Sequence, residues 1–287
     1  MKLIPAFLLL LCLFANSFAQ KNEQDREWNQ PVEPFKIIGN IYYVGASDIT
    51  SYLITTPKGH ILIDSGFPET VPQIKANIGK LGFQLEDVKY ILNSHAHYDH
   101  SGGIAELKRL TKKAKFLASE ADVPLLKRGG LDDPNFGDKY PFEAVTPDAV
   151  FTDGKKVRLG GMSLKANITA GHTRGCTSWT TTVRENKINY NVIFVCSITA
   201  PGYNLIDNPK YPNIIGDYNA TFERLKKTPV DVFLASHGNA YDLEEKILKL
   251  KAGAQNPFVD RDGYRAYLER SEEAFREQVR KQKENKK

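Results

Sequence analysis

The run from His95 to His100, His-Ala-His-Tyr-Asp-His, constrains this chain more than any other part of its sequence. It follows an apolar, β-branched segment at 88–94, which predicts a short buried strand that ends where the run begins. His95 and His97 are two residues apart, so their side chains face the same side of an extended strand end. Histidine and aspartate together suit zinc. The run therefore predicts ligands for two adjacent metal positions, one rich in histidine and one that mixes imidazole with carboxylate.

Two more histidines follow predicted strands. His172 comes after a strand-like stretch at 164–169, and His237 comes after the apolar run at 230–235. Proteins that combine helices and strands place their chemistry just beyond strand ends, so both side chains are expected at the same centre. The remaining histidine, His60, lies in a predicted hairpin and is interpreted as structural.

Taken together, these motifs resemble those of the metallo-β-lactamase superfamily. The resemblance covers roughly residues 32–285 and rests on His95-x-His97-x-Asp99-His100, Gly171-His172-Thr173, His237 and, upstream, Leu62-Ile-Asp64-Ser-Gly66. It implies an α/β fold of the αββα type, a sandwich of two mixed β-sheets flanked by helices, with the metals in a groove at one edge.

The segment after the strand predicted at 190–195 distinguishes the branches of the superfamily. Hydrolases of the glyoxalase II and lactonase type carry a bridging aspartate there, whereas this chain has Cys196 and Ser197. Subclass B1 enzymes use a cysteine as a zinc ligand at this place, but the best alignment puts Ser197 at that position. The continuation through Ala200–Tyr203 and Asn208–Tyr218 resembles subclass B3.

The resemblance to subclass B3 implies two zinc ions per monomer. Their ligands would be His95, His97 and His172 for the first ion and Asp99, His100 and His237 for the second. Subclass B2 enzymes have an asparagine in place of His95, so a single-zinc site of that kind is not expected.

The implied activity is hydrolysis of the β-lactam amide of penicillins, cephalosporins and carbapenems by a hydroxide that the metals generate, which confers antibiotic resistance. Asp99 would also orient the water, and Tyr203 would donate a hydrogen bond to the developing oxyanion. Ser197 and Thr199 would bind the substrate carboxylate; the alternative is that these two hydroxyls only pair with the backbone.

Two other functions stay open on the sequence. One is an exported dizinc lactonase or esterase on the same fold, because a fold alone does not fix a substrate. The other is a non-catalytic zinc-binding protein, although structural zinc sites are usually closed by four protein ligands.

Four further side chains have structural interpretations. Cys196 is interpreted as a buried thiol in preference to a metal ligand, and Cys176 as a core residue; a disulfide between the two is the alternative. Asp64 either orients a ligand imidazole or closes the turn before Gly66. Trp179 is expected in the core.

The first 19 residues resemble a secretory signal peptide, with Lys2, an apolar stretch at 6–14 and a cleavage motif ending at Ala19. Export to the periplasm is therefore expected. Residues 20–31 are polar and are expected to be disordered, and 32–287 to form one domain.

The formal charge of +5 is a weak indication about partners. Many of the basic residues lie at 261–287, interspersed with glutamates, which is typical of a solvated helix face. We expect a monomer that acts on a small β-lactam, binds no nucleic acid, and does not bind a membrane once the signal is removed.

Hydrophobic periodicity predicts the remaining elements. Strands are expected as two or three within 35–62 with a turn at 56–59, at 115–119, and over most of 148–199. Helices are expected at 68–81, 103–111, 120–127, 220–227, 243–252 and 261–283. The segment 129–141 is rich in Gly, Asp and Pro, which predicts a mobile loop beside the site.

Overall fold

The computed structural model describes residues 23–286, and in it two mixed β-sheets pack face to face. The strands are β1 Phe35–Ile38, β2 Ile41–Tyr43, β3 Tyr52–Thr56, β4 Gly59–Ile63, β5 Val88–Leu92, β6 Lys115–Ser119, β7 Ala149–Phe151, β8 Lys156–Leu159, β9 Met162–Ile168, β10 Thr177–Glu185, β11 Ile188–Val195 and β12 Val232–Ala235. One sheet has the order β1 to β7, and the other has the order β12-β11-β10-β9-β8.

Helices cover the outer faces of both sheets. They are α1 Glu23–Trp28, α2 Val71–Lys80, α3 Tyr98–Ser101, α4 Ile104–Thr111, α5 Val123–Lys127, α6 Ile214–Lys226, α7 Leu243–Lys251 and α8 Arg261–Glu284. Helices α2, α4 and α5 share a buried apolar cluster with the seven-stranded sheet, and α6 and α8 pack on the five-stranded sheet. Within residues 23–286, none of the helices is both long and apolar enough to cross a lipid bilayer.

The direction of the strands brings several loops to one edge of the sandwich. Strands β4, β5 and β6 run parallel, and β12 runs parallel to β11, so the loops that leave β5 and β12 are able to meet. The hydroxyl of Thr50 donates to the carbonyl of Ala235 at 2.8 Å and ties the two sheets together there. This edge therefore carries the histidine-rich segments.

Apolar periodicity accounts for the packing of the layers. The buried face of α2 includes Val71, Ile74 and Ile78, and burying each such side chain contributes about 1.5–3 kcal/mol. Trp179 is fully buried between the sheets, and its indole N–H donates to the carbonyl of Asn93 at 3.1 Å. The expected core role of Trp179 is confirmed.

Most of the predicted elements are present, and two of the predicted segments differ in detail. The segment 35–62 holds four strands where two or three were expected, with the turn at 56–59 as predicted. Helix α6 begins at Ile214, six residues before the predicted start. Gly216 and Asp217 are weak helix formers, but the buried side chains of Ile214 and Tyr218 hold this first turn against the sheet.

The N-terminal segment is ordered from residue 23, so the expectation of disorder is wrong for 23–31. Although the segment is polar, hydrogen bonds to distant residues hold it in place. The carbonyl of Trp28 accepts from the backbone N–H groups of Asp48 and Ile49 at 2.9 and 3.2 Å. The backbone N–H of Ser47 also donates to the carbonyl of Gln30 at 2.9 Å. The predicted signal peptide at 1–19 lies outside the described residues.

Candidate metal centre

Three imidazoles form a first cluster of donor atoms. Nδ1 of His97 lies 3.1 Å from Nε2 of His172, and one ring nitrogen of each of His95, His97 and His172 falls within a group 4.8 Å across. Nε2 of His95 is buried and has no hydrogen-bond partner. A buried polar atom without a hydrogen-bond partner destabilises the folded state. A metal ion bound to this nitrogen would satisfy it.

A carboxylate and two imidazoles form a second cluster beside the first. Oδ2 of Asp99 lies 3.3 Å from Nε2 of His100 and 3.4 Å from Nε2 of His237, and these two nitrogens are 3.2 Å apart. The rings of His95 and His100 have their centroids 4.3 Å apart. The structure thus brings together all six side chains predicted as ligands.

The spacing of these atoms fits zinc. Zinc binds nitrogen and oxygen ligands at about 2.0–2.1 Å in a tetrahedron, so neighbouring ligand atoms lie about 3.3 Å apart. The measured separations within the clusters, 3.1 Å between His97 and His172 and 3.2–3.4 Å among Asp99, His100 and His237, agree with this value. The donor types are also those that zinc accepts.

The second nitrogen of each histidine has its own contact, which orients the ring. The contacts are His95 Nδ1 with Ser94 Oγ at 3.0 Å, His97 Nε2 with Asp133 Oδ2 at 3.3 Å, His100 Nδ1 with Asp64 Oδ2 at 3.5 Å, His172 Nδ1 with the Thr199 carbonyl at 2.8 Å, and His237 Nδ1 with Asp48 Oδ2 at 2.8 Å. Hydrogen-bond partners fix the tautomer and leave the inward nitrogen free to bind a metal. The contact of His100 with Asp64 is an ion-pair contact only, because Nδ1 of His100 makes no hydrogen bond.

Asp64 faces a candidate ligand imidazole and also stands at the turn before Gly66, so its position is compatible with both interpretations. Its Oδ1 accepts a hydrogen bond from the backbone N–H of Ser94 at 2.6 Å, while its Oδ2 faces His100. Its backbone has φ 60 at the turn that leads to Gly66. The side chain therefore links the end of β4 to the ligand segment.

Burial and charge set the protonation of the ligands. Burial, followed by the neighbouring imidazoles, lowers the pKa of His95 and of His172 well below the usual value, so both rings are neutral and able to bind metal. Burial alone would raise the pKa of Asp99, but the charge of His100 and hydrogen bonds from His100 and His237 hold it well below its usual range. Although burial lowers the pKa of His100, Asp99 raises it to about 10 in the metal-free protein, so a metal at this ring would have to displace a proton.

A glycine allows His172 to enter the cluster. Gly171 has φ +139, and a Cβ built on it would lie 2.7 Å from Cγ of the Tyr218 ring. That ring is held in place because its hydroxyl donates to the carbonyl of Thr199 at 2.6 Å. Only glycine fits between the end of β9 and this ring.

The clusters lie beside a cavity of about 570 Å³, a size typical of small-molecule sites. Ser197 and Thr199 both line it, and they lie beyond the end of β11 at Val195. Their role in binding a carboxylate stays a prediction. Ser197 is buried, and its hydroxyl pairs with that of Ser236 at 3.1 Å. Thr199 is exposed to the cavity.

Tyr203 lies behind His172 and is not among the residues that line the cavity. Its side chain is 1% exposed, and its hydroxyl is 3.2 Å from both Nδ1 and the carbonyl oxygen of His172. The ring of Phe136 packs on it at 5.3 Å. The side-chain amides of Gln278 and Gln282, on α8, donate to its carbonyl at 3.2 and 2.6 Å. Its role as an oxyanion donor stays a prediction.

Cys176 and Cys196 form a disulfide, with their Cα atoms 5.9 Å apart. The interpretation of Cys196 as a thiol is therefore wrong, and the alternative of a disulfide is the correct one. Both residues are fully buried, as expected, and Cys196 is not available as a ligand. Strands β10 and β11 are paired so that Trp179 lies opposite Phe194, which places the two cysteines side by side at the strand ends. Sγ of Cys196 contacts Nδ1 of His95 at 3.6 Å.

Three residues at the site were missed in the sequence. Asp48 and Asp133 contact ligand histidines, and Trp28 lies edge-on to His237 with ring centroids 5.2 Å apart. No periodicity or motif marks Asp48 or Trp28. Asp133 lies in the loop predicted beside the site, which was a partial signal.

His60 lies away from this centre. It is buried in the β3–β4 hairpin and packs against Phe83 with ring centroids 5.1 Å apart. Its structural interpretation is confirmed.

The comparison with protein families agrees with this site and fold. A model of the metallo-β-lactamase superfamily matches residues 44–237, a span that includes all six donor residues. This chain belongs to the metallo-β-lactamase superfamily.

Solved structures narrow the likeness to one subclass. Native FEZ-1 metallo-β-lactamase from Legionella gormanii is 43% identical, with a TM-score of 0.87 over 89% of this chain and 98% of that chain. BJP-1, a subclass B3 metallo-β-lactamase of Bradyrhizobium japonicum, is 41% identical, with a TM-score of 0.85 over 91% of this chain and 99% of that chain. The predicted αββα sandwich and the resemblance to class B enzymes of subclass B3 are confirmed.

Curated relatives match more distantly. An N-acyl homoserine lactonase of Bacillus cereus is 26% identical over 111 residues, which are 30% of this chain and 44% of that protein. The type A flavoprotein fprA of Rhodobacter capsulatus is 23% identical over 256 residues, which are 83% of this chain and 55% of that protein. The chain spans about half the length of the curated relatives it matches.

Proposed function

We propose that this chain is a dizinc β-lactamase of subclass B3, which hydrolyses the strained amide of penicillins, cephalosporins and carbapenems and so confers resistance to them. The observation that carries the proposal is the pair of three-atom clusters at zinc spacing beside one cavity. His95, His97 and His172 would hold the first ion. Asp99, His100 and His237 would hold the second.

Zinc bound there would lower the pKa of a water molecule and polarise the amide carbonyl. The protein's own residues would orient the water and bind the substrate. Asp99 lines the cavity and would orient the attacking water. Thr199 and Ser197 would donate hydrogen bonds to the carboxylate that these antibiotics carry. The hydroxyl of Tyr203 donates to the carbonyl of His172. It would have to break this hydrogen bond before it could donate to the oxyanion, so we assign it a smaller part in stabilising the oxyanion than the metal.

A lactonase or esterase is the second candidate, because part of the chain matches an N-acyl homoserine lactonase. The carboxylates that line the cavity within the described residues are Asp25, Asp99 and Asp133. The position that carries the bridging aspartate in lactonases of this superfamily holds Ser197 here. This difference favours the β-lactamase proposal.

The test is turnover of a penicillin, a cephalosporin, a carbapenem and an N-acyl homoserine lactone by the purified protein. We expect hydrolysis of the three β-lactams that EDTA abolishes and added zinc restores, with two zinc ions per chain. Chelator-sensitive turnover of the lactone alone would favour the second candidate. Two bound zinc ions without turnover of any substrate would point to a non-catalytic zinc protein.

We also propose that the chain is exported to the periplasm as a monomer. The support for export is the signal-like sequence of residues 1–19, and the monomeric state is our starting assumption. Cell fractionation together with mass determination of the N-terminus and of the native particle tests both points.

A further inference from the structure

The loop at 129–141 reaches the metal centre through Asp133. The side chain of Asp133 is 4% exposed, and its Oδ2 lies 3.3 Å from Nε2 of His97. Its Oδ1 accepts hydrogen bonds from the backbone N–H groups of Asn135 and Phe136 at 2.7 and 2.8 Å. One carboxylate therefore closes the tip of the loop and also contacts a candidate zinc ligand.

The residues around Asp133 form a compact turn that rests on His97. The backbones of Asp133 and Gly137 exchange two hydrogen bonds of 3.0 Å each. The ring of Phe136 lies 5.3 Å from the ring of His97 and 5.3 Å from that of Tyr203. The turn thus contacts the first cluster through the Asp133 carboxylate and through packing of Phe136, while other residues of the same loop line the cavity wall.

We propose that Asp133 is a positioning residue that couples the order of this loop to the binding of zinc at His95, His97 and His172. The inference rests on the proposed zinc site. A proton held on Nε2 of His97 by the carboxylate leaves the lone pair of Nδ1 directed at the centre, where it faces His172. Binding of a metal at Nδ1 selects the same tautomer, so each event favours the other, and this coupling is reciprocal.

Two measurements on the full chain test the coupling. The first is the affinity for zinc at the first cluster, by competition with a chromogenic chelator, for wild type, Asp133→Asn and Asp132→Asn. Asp133→Asn keeps an oxygen for the two backbone N–H groups but presents a neutral group to His97. Asp132→Asn is the matched control, because that side chain is 63% exposed and pairs with Lys210. The second is amide hydrogen exchange at residues 135–137 of the wild type, with and without zinc.

We expect Asp133→Asn to weaken first-site binding by about 10- to 100-fold, Asp132→Asn to leave it unchanged, and zinc to slow exchange at 135–137. An affinity of Asp133→Asn equal to that of wild type, or exchange indifferent to zinc, would overturn the coupling. If the wild type binds zinc and hydrolyses β-lactams, either result removes this inference alone; if it binds no zinc, the proposed function fails as well. The exchange measurement uses the wild type alone, so it still tests the coupling between zinc binding and loop order if Asp133→Asn does not fold.

Discussion

Nδ1 of His237 lies 2.8 Å from Oδ2 of Asp48, a residue 189 positions earlier in the chain. The other oxygen of Asp48 accepts the backbone N–H of Asn239 at 2.7 Å, so the carboxylate is held on both sides. The loop that carries Asp48 is itself fixed by the carbonyl of Trp28. The N-terminal segment thereby supports a candidate ligand of the second zinc.

Asp48→Asn should weaken zinc binding at Asp99, His100 and His237 by about 10-fold or more, because a neutral amide supports the imidazole less well. Zinc content after dialysis against a graded chelator series measures this. Asp87→Asn is the control, since Asp87 is exposed and forms an ion pair with Lys89. Equal zinc content in the wild type and Asp48→Asn would contradict the prediction.

His172→Ala should reduce the zinc content by one ion per chain and lower kcat/KM for a β-lactam by about 100-fold or more, because the first cluster loses a ligand. Metal analysis and steady-state kinetics on the same preparation give both values. His60→Gln, at a histidine outside the centre, should keep two zinc ions. Unchanged zinc and turnover in His172→Ala would remove the proposed ligand set.

Gly171→Ala should lower the free energy of unfolding by about 1–3 kcal/mol, because the added methyl overlaps the fixed Tyr218 ring. The displaced backbone should also reduce zinc binding through His172. Denaturant unfolding and metal analysis test the two effects. At Gly161, which also has positive φ but open space around it, substitution to Ala should cost less stability and leave zinc binding intact.

Replacing both Cys176 and Cys196 with serine should reduce the stability of the metal-free protein by about 3 kcal/mol, given a sequence separation of 20. Urea unfolding with and without a reductant measures this. The reductant should bring the wild type to the level of the double variant and leave the variant unchanged. A reductant-insensitive wild type would show that the disulfide is absent or without effect.

Asp231→Asn should destabilise the metal-free protein at pH 7 by about 1–2 kcal/mol. Burial raises the pKa of Asp231, but the backbone N–H of Asn191 and the guanidinium of Arg261 outweigh it and lower that pKa. A lowered pKa in the folded state contributes stability above the unfolded pKa of about 3.9, which is lost as pH falls through the folded value.

The difference in unfolding free energy between wild type and Asp231→Asn should therefore be largest near pH 7 and shrink toward pH 3. Urea unfolding in EDTA across this range tests the sign and keeps zinc release out of the comparison. A difference that grows on acidification would show that the carboxylate is not stabilised by these partners.

Much of the fold was predictable because its signals are local. Strand β6 at 115–119 and helices α2 and α8 follow from apolar spacing over a few turns or residues. Helix α6 was predicted to begin too late and residues 23–31 to be disordered, because in both cases contacts with distant residues outweigh local propensity. Helix α1 in particular is held by the loop at 46–49, which no local pattern reveals.

The sequence by itself predicted the six candidate donor residues, since their side-chain types and their positions just after apolar strands carry the resemblance to the family. The tertiary structure alone decided which nitrogen of each histidine faces the centre, because that choice depends on outer partners such as Asp48 and Asp133, 189 and 36 positions from their histidines. It also decided the disulfide, which requires Cys176 and Cys196 to be brought together by the pairing of β10 with β11. The sequence gives the type of each side chain, and the spacing along a strand gives its direction. Contacts between residues far apart in the chain form only when the two layers of the sandwich pack together.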